Sequence, residues 1–382
     1  MEWKNTADVV IVGGGIIGVS TAYYLAKEGM KNIVLLEKGT ICGGSTGRCG
    51  AGIRAQWGTE MNCRLGIAAL DIFEQLDEEL GMSVGLNQGG YLLVAYNEDE
   101  FETLRKGMVL QNSLGINSRM ISLKEAREIC PGLSADDAFG FFFHGRDGHA
   151  DPFLTTFAYL EAAKKMGVSC FRHTACTGIT VENNVVRGVE TERGTISAPI
   201  VINCAGAYAQ FIAKMAGIDL PNWGERHEIM ITEPVAPGVC PCMLMSFSGN
   251  YYIQQRPHGS IICGMSPEGH PQDFELKTTW NFLEEMSRIL VRLLPRTRGI
   301  RVARQWSGMY DMTPDAQPII GETDVRNFYH STGYSGHGFM LAPVAGKILA
   351  QHLAGKTPDI DFSMLDYRRF ARGEHIRESN VV

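Results

Sequence analysis

The chain has 382 residues, of which 45% are apolar and 20% charged, and a formal net charge of −7. That length exceeds one small core and suits two domains, the acidic balance argues against a nucleic-acid surface, and no run of about 20 apolar residues is present to span a membrane. The ten cysteines are scattered behind no signal peptide, and their one close pair, Cys240-Pro-Cys242, predicts reduced thiols in a cytoplasmic protein and no metal site.

Residues 8–12 read as a buried parallel strand, because β-branched apolar residues run without polar alternation. Gly13, Gly15 and Gly18 follow in G-x-G-x-x-G spacing. The first permits a tight turn, the second lets backbone N–H groups approach a pyrophosphate, and the third lets the next helix pack on the strand. That helix is expected over 15–27, closed by Gly29, with its N-terminal dipole favouring a phosphate. A second strand over 32–36 ends at Glu37, near the usual offset of about 20 residues for an acid that binds ribose hydroxyls. The unit therefore predicts dinucleotide binding, and Glu37 favours FAD or NAD over NADP, whose extra phosphate it would repel.

The loop 38–54 is too glycine-rich for a packed helix. Its Lys38, Ser45, Thr46, Arg48 and Arg54 are donors suited to phosphate and to a polar ring edge. Beyond it, amphipathic spacing predicts a helix over 59–80, a strand over 88–96, a helix over 98–114 and another over 122–129 with Ser122 and Glu125 as a capping box. A strand over 139–144 follows. Asp151 and Pro152 open a helix over 153–166, then come strands over 168–172, 178–182, 185–191 and 200–203. Asn183-Asn184 is the turn within the paired strands. Small residues at 204–207 would let backbone come close to a ligand. Residues 226–310 read as a second, β-rich unit with strands over 227–232, 251–256 and 260–265 and one long helix over 278–294. Finally a strand over 327–331, a glycine-rich turn at 332–338 and a helix over 340–353 repeat the strand–turn–helix arrangement. Dinucleotide-unit segments at both ends around a β-rich insert argue for a flavoprotein over an NAD enzyme.

On these residues the chain resembles the D-amino-acid-oxidase-like FAD family, and within it the β subunits of dye-linked L-proline dehydrogenase and heterotetrameric sarcosine oxidase. The likeness covers nearly the whole length. It rests on VVIVGGGIIGVSTAYYLA, GSTGRCGAGIR, DGHADPF, VINCAGAYA, the segment 309–315, TGYSGHGFMLAP and the tail 367–374. It implies an α/β chain (α+β overall), with a discontinuous Rossmann-like FAD-binding domain over 1–85, 150–220 and 318–382. A β-rich substrate domain, 86–149 and 221–317, is inserted in it.

The resemblance also implies site roles. Gly13, Gly15 and Gly18 would take the FAD pyrophosphate and Glu37 the adenosine ribose. Lys38, Ser45, Thr46, Arg48, Cys49 and Gly50 would lie along the pyrophosphate and flavin ring. Cys176 would offer backbone to the adenine, and Ala205 and Gly206 would pass close to the cofactor. Gly336, His337, Gly338, Phe339 and Met340 would sit by the flavin pyrimidine edge. Arg54 would grip a substrate carboxylate, Tyr252 would face the substrate, and His337 would be a flavin-edge donor; the plain alternatives are a surface salt bridge, a core ring and a turn residue. Gly308 stands where related enzymes attach FAD through cysteine, and Pro152 where others attach FMN through histidine. FAD, and any FMN held at a subunit interface, should therefore be non-covalent. Met340 replaces a lysine, which puts direct reaction with oxygen in doubt. The implied activity is oxidation of an α-amino acid C–N bond to an imine, on a secondary amine such as L-proline or sarcosine, beside an α subunit or other electron-transfer subunits. The alternatives are a stand-alone glycine or D-amino acid oxidase, an opine or D-hydroxyproline dehydrogenase subunit, and a non-catalytic flavin relay.

Overall fold

The protein is described by a computed structural model covering residues 2–266, 269, 272–378 and 380. A six-stranded sheet runs in the order Ile319–Glu322, Phe328–Thr332, Ile200–Asn203, Val9–Val12, Ile33–Leu36, Ser169–Phe171. It is parallel except for its first strand. Val9–Val12 and Ile33–Leu36 are buried at every position, as expected where helices or strands cover both faces of a parallel sheet. The helices Ile16–Lys27 and Gly338–Leu353 pack together on this sheet. Their approach is close because Gly346 has no side chain: a Cβ there would lie 3.0 Å from the backbone of Ser20 and Thr21. Ser20 Oγ donates to the Ala342 carbonyl at 3.0 Å across the same contact.

The second large sheet has eight strands, in the order Val302–Met312, Trp223–Thr232, Ile261–Met265, Tyr251–Gln255, Met243–Ser246, Tyr91–Ala95, Gly140–His144, Arg119–Ile121. It is antiparallel except where Met243–Ser246 pairs with Tyr91–Ala95. The helix Trp280–Leu293 covers one face with Phe282, Met286, Leu290 and Leu293. A three-stranded sheet, Gly194–Ser197, Val185–Thr191, Cys176–Glu182, lies beside the first. Asn183 and Asn184 take φ of 51° and 60° in its turn, the left-handed conformation that asparagine tolerates.

Local signals and structure differ in a few places. The expected helix over 59–80 is two helices, Glu60–Phe73 and Leu76–Leu80. The chain turns at Glu74, whose carboxylate is held by Arg146 at 2.7 and 2.9 Å and by Gln88 at 2.7 Å. The capping box on Leu123–Ile129 forms with both of its hydrogen bonds. The strands Met243–Ser246 and Val302–Met312 and the helix Ala209–Met215 had no clear periodic signature. Among the described residues no helix is long and apolar enough to cross a membrane.

Two segments quoted from the sequence meet in the core. Arg369, in the tail, donates from Nε and one terminal nitrogen to both carboxylate oxygens of Asp315 at 2.8 and 2.9 Å. Both side chains are nearly fully buried. Burial alone would raise the Asp315 carboxyl, but the hydrogen bonds and charge of Arg369 outweigh it and hold the pKa below its ordinary value. Removing one partner of such a pair strands a buried charge, at a cost of about 3–5 kcal/mol. Arg369→Leu is therefore expected to lower the urea-unfolding free energy by about that amount. Because the folded-state pKa is the lower one, the stabilisation is present above pH ~4 and is lost as pH falls through the folded value. Asp315→Asn should remove that part of the acid sensitivity, and an unchanged acid limb would contradict the assignment.

Candidate active site

The strand Val9–Val12 and its neighbour Ile200–Asn203 end side by side, and a cavity of about 470 Å³ opens beyond their carboxyl ends, where open α/β sheets bind ligands. Gly13 turns the chain there with φ 122°, and a Cβ on it would lie 2.3 Å from the Cys204 carbonyl oxygen. Gly18 faces away from the cavity: a Cβ on it would meet the Gly13 carbonyl oxygen at 2.0 Å. Its place is the helix–strand contact, and it is not on the cavity wall.

Gly15 caps the helix Ile16–Lys27 with no side-chain hydrogen bond of its own and no acid in the first turn. Thr46, in a short 3-10 turn of the glycine-rich loop, reaches over and accepts from Ile16 N at 3.1 Å. Glu37 sits opposite, accepting from Gly14 N at 2.8 Å and Gly39 N at 2.6 Å. Lys38 lies over the Tyr208 ring at 3.2 Å. Arg48 extends to the Ser307 carbonyl at 3.5 Å, and the absence of a side chain at Gly308 matters, since a Cβ there would stand 3.0 Å from Arg48 Cβ. At Gly206 (φ +56°) a Cβ would meet nothing within 4 Å. Ser45, Cys49, Gly50 and Ala205 complete this side of the wall. The Cys49 thiol donates to the Thr46 carbonyl at 3.0 Å, and burial pushes its pKa up to about 12, so it stays neutral.

The second helix N-terminus, at Gly338, opens onto the same cavity, and Gly336, His337, Gly338, Phe339 and Met340 all line it. Gly336 has φ +89° and abuts the Tyr310 ring, where a Cβ would be 2.5 Å away. His337 packs edge-on against Trp57 with centroids 4.7 Å apart. Burial and then the charge of Arg54 pull its pKa down to about 3. It is a neutral ring at physiological pH.

Arg54 is only 2% exposed, so it is not a surface salt bridge. Its guanidinium lies over Trp57 at 3.9 Å and donates to the carbonyls of Gln56 at 2.7 Å and Asn380 at 2.5 Å. Among the described residues it has no carboxylate within ion-pair distance. Burial lowers its pKa; Tyr91, Glu378 and Asp147 oppose that from further off. Tyr252 lines the cavity with its ring against Gly50 and Gly264. Burial raises its phenol well above the usual value, so it remains a protonated donor.

Several wall residues carried no signal in the sequence. Tyr91, Met243 and Met245 come from the eight-stranded sheet and line the cavity with Arg54. Period-2 alternation shows which residues share a face but not which face meets a ligand. Asp311, also on the wall, accepts from Thr332 Oγ1 at 2.7 Å, Asn222 Nδ2 at 2.7 Å and Gly333 N at 2.5 Å, and so pins the second glycine turn. Cys176 is not on the wall. Its thiol donates towards the Gly178 carbonyl at 3.5 Å, and the segment that reaches Glu37 is its neighbour, with Thr174 N donating to the Glu37 carbonyl at 2.9 Å.

Two helix N-termini, Arg48 and Lys38 as donors, with the Glu37 carboxylate as acceptor, make a set that fits an FAD diphosphate and its sugar. The comparisons agree. The model of the DAO family, FAD dependent oxidoreductase, matches residues 8–352. The sarcosine oxidase β subunit of an Arthrobacter species is 30% identical over 100% of this chain and 95% of that protein. That of Rhodobacter capsulatus is 29% identical over 99% and 92%. The crystal structure of L-proline dehydrogenase from P. horikoshii superposes with a TM-score of 0.94 at 35% identity, covering 98% of this chain and all of that one. The chain belongs to the FAD dependent oxidoreductase family.

Glu37→Ala would leave the Gly14 and Gly39 N–H groups without their charged acceptor and would take away the acceptor expected for the ribose. Hydrogen bonds to charged groups contribute about 1.5–3 kcal/mol. The flavin dissociation constant, read by fluorescence on release, should rise about tenfold or more; an unchanged constant would remove Glu37 from the cofactor site.

Proposed function

We propose that this FAD dependent oxidoreductase oxidises the C–N bond of a small α-amino acid to an imine. The substrate we infer is a secondary amine such as L-proline or sarcosine, and the chain we infer to be the catalytic β subunit of a dehydrogenase complex. The observation that carries this is Arg54: a buried guanidinium on the wall of a flavin-type cavity, with no carboxylate partner among the described residues. A buried charge without a counter-charge is costly, and a bidentate carboxylate is the ligand its planar fork fits.

FAD, when bound, supplies the hydride acceptor. The chain supplies binding and orientation. Arg54 takes the substrate carboxylate, and Tyr91, Tyr252, Met243 and Met245 surround the remainder of the molecule and exclude water. Tyr252 offers a neutral hydroxyl. His337, neutral down to about pH 3, can donate or accept one hydrogen bond at the ring edge but is not already a cation. The substrate ammonium gives up its extra proton to solvent before the C–H bond breaks, so orientation carries the rate. The N-terminus of Gly338–Leu353 favours negative charge on its side of the cavity.

The six-stranded and eight-stranded sheets support the division inferred above: 1–85, 150–220 and 318–382 for the cofactor, 86–149 and 221–317 for the substrate. A partner subunit is supported by the β-subunit names of the relatives. It is also supported by the helix Pro152–Lys165, which exposes Phe153, Leu154 and Phe157. An FMN held without a covalent bond beside residues 149–152 would lie at that face. Ten unpaired cysteines support a cytoplasmic setting.

Arg54→Ala should raise KM for the amino acid about 30-fold or more, from the 2–5 kcal/mol that loss of a buried charge partner typically costs, while the flavin stays bound. An unchanged KM would sink the carboxylate assignment. Because the His337 pKa is lowered, its imidazole does not titrate between pH 5 and 8, and kcat/KM there should rise only with deprotonation of the substrate amine. An inflection near pH 6.5 that vanishes in His337→Asn would contradict this.

A further inference from the structure

Three cysteines distant in sequence meet outside the flavin cavity. Cys130 ends the helix Leu123–Ile129, and Cys240 and Cys242 lie in the run into the strand Met243–Ser246. Their sulfur atoms all lie within 4.8 Å of one another, and all three side chains are buried. The chain bends at Cys240 and again at Cys242, on either side of Pro241, and brings both sulfurs to Cys130.

The cluster is preorganised. Gln255 Oε1 accepts from Val239 N at 2.9 Å and Cys240 N at 3.3 Å, and its Nε2 donates to the carbonyls of Ala236 at 2.9 Å and Gly259 at 3.0 Å. Cys130 N closes its helix on the Ala126 carbonyl at 2.8 Å. The Cys130 thiol donates to the Val239 carbonyl at 3.9 Å and the Cys240 thiol lies 3.4 Å from the Cys242 carbonyl and 3.8 Å from that of Ile253, and the three thiols also hydrogen-bond to one another. The surroundings are aliphatic, with Leu133, Leu244, Ile253, Leu290 and Leu293 in the same core. No histidine or carboxylate joins the group among the described residues. The Cys240–Cys242 pair alone predicts no metal site; Cys130, far away in the chain, supplies a third sulfur.

We propose that Cys130, Cys240 and Cys242 form a binding site for a soft thiophilic cation, Cu(I), held by three sulfurs in the core of the eight-stranded sheet. Structural zinc sites take four ligands, whereas a set of three sulfurs joined, among the described residues, by no histidine or carboxylate selects the softer monovalent ion. Binding breaks S–H bonds and forms Cu–S bonds. Each thiol that binds as thiolate gives one proton to solvent, and copper keeps its oxidation state. The ion ties the helix Leu123–Ile129 to the strand Met243–Ser246 and stabilises the folded chain over the unfolded one.

The FAD-loaded chain, reduced, desalted and kept anaerobic, is titrated with Cu(I) buffered by a chromogenic chelator. One equivalent should be withdrawn per chain, and X-ray absorption of the loaded wild-type protein should show a first shell of sulfur alone. Cys130→Ser and Cys240→Ser should each weaken binding by about a hundredfold or more, beyond the 10–100-fold typical for groups that only support ligands. Cys263→Ser, in the same core but outside the cluster, should bind as wild type. Flavin content reports folding in each variant, and the absorption shell needs no variant. No withdrawal of Cu(I), a shell containing nitrogen or oxygen, undiminished binding in the triple serine variant, Zn(II) displacing Cu(I), or a disulfide among the three would each overturn the proposal.

Discussion

The contact on which the rest depends is the close packing of Ile16–Lys27 against Gly338–Leu353. Those helices come from opposite ends of the chain, and only a glycine at 346 lets the backbones approach at Ser20 and Thr21. The consequence is electrostatic. Two helix N-termini, one at Gly15 and one at Gly338, open on one cavity, which becomes a site for negative charge. The glycine turns at either helix start are not interchangeable. The first is shaped against the Cys204 carbonyl, whereas the second is pinned by Asp311 and pressed against Tyr310. A larger residue at Gly346 would separate the helices and move both turns.

Arg54 is the second constraint. Its guanidinium is supported by Trp57, the Gln56 carbonyl and the Asn380 carbonyl, so two of its five donors are committed to backbone oxygen. The tail that brings Asn380 there is anchored by Glu378, which accepts from the N–H groups of Gly58 and Thr59 at 2.8 and 3.0 Å and from Asn62 at 2.9 Å. Burial, and then this same charge, pull down the His337 pKa. On the proposed reading one buried cation orients the ligand and adds to the burial that keeps the neighbouring imidazole neutral.

What was legible in the sequence was what local physics determines. The β-branched run at Val9–Val12, the spacing of Gly13, Gly15 and Gly18, the capping box at Ser122 and the Asn183-Asn184 turn each carry their own signature, and the structure shows each. The break at Glu74 was not legible: the carboxylate there meets Arg146, which arrives from elsewhere in the chain. The strand Val302–Met312 was hidden because only its second half alternates cleanly, with Ser307, Met309 and Asp311 inward. Tyr91, Met243 and Met245 reach the cavity through sheet order, which no single strand encodes. Gly18 and Cys176 show the limit of transferring roles by resemblance: the first acts in helix packing, and the second lies on a strand off the cavity wall.

The central claim is that Arg54 selects a carboxylate and orients an amino acid for C–N oxidation. It is tested most directly by mixing the flavin-loaded chain anaerobically with L-proline or sarcosine and, separately, with the corresponding carboxamide, following loss of the oxidised flavin absorbance. The account predicts rapid bleaching by an acid and at least about thirtyfold slower bleaching by its amide at equal concentration, as expected when a buried charge loses its partner. Equal bleaching by acid and amide, or none by either with flavin bound, would contradict it.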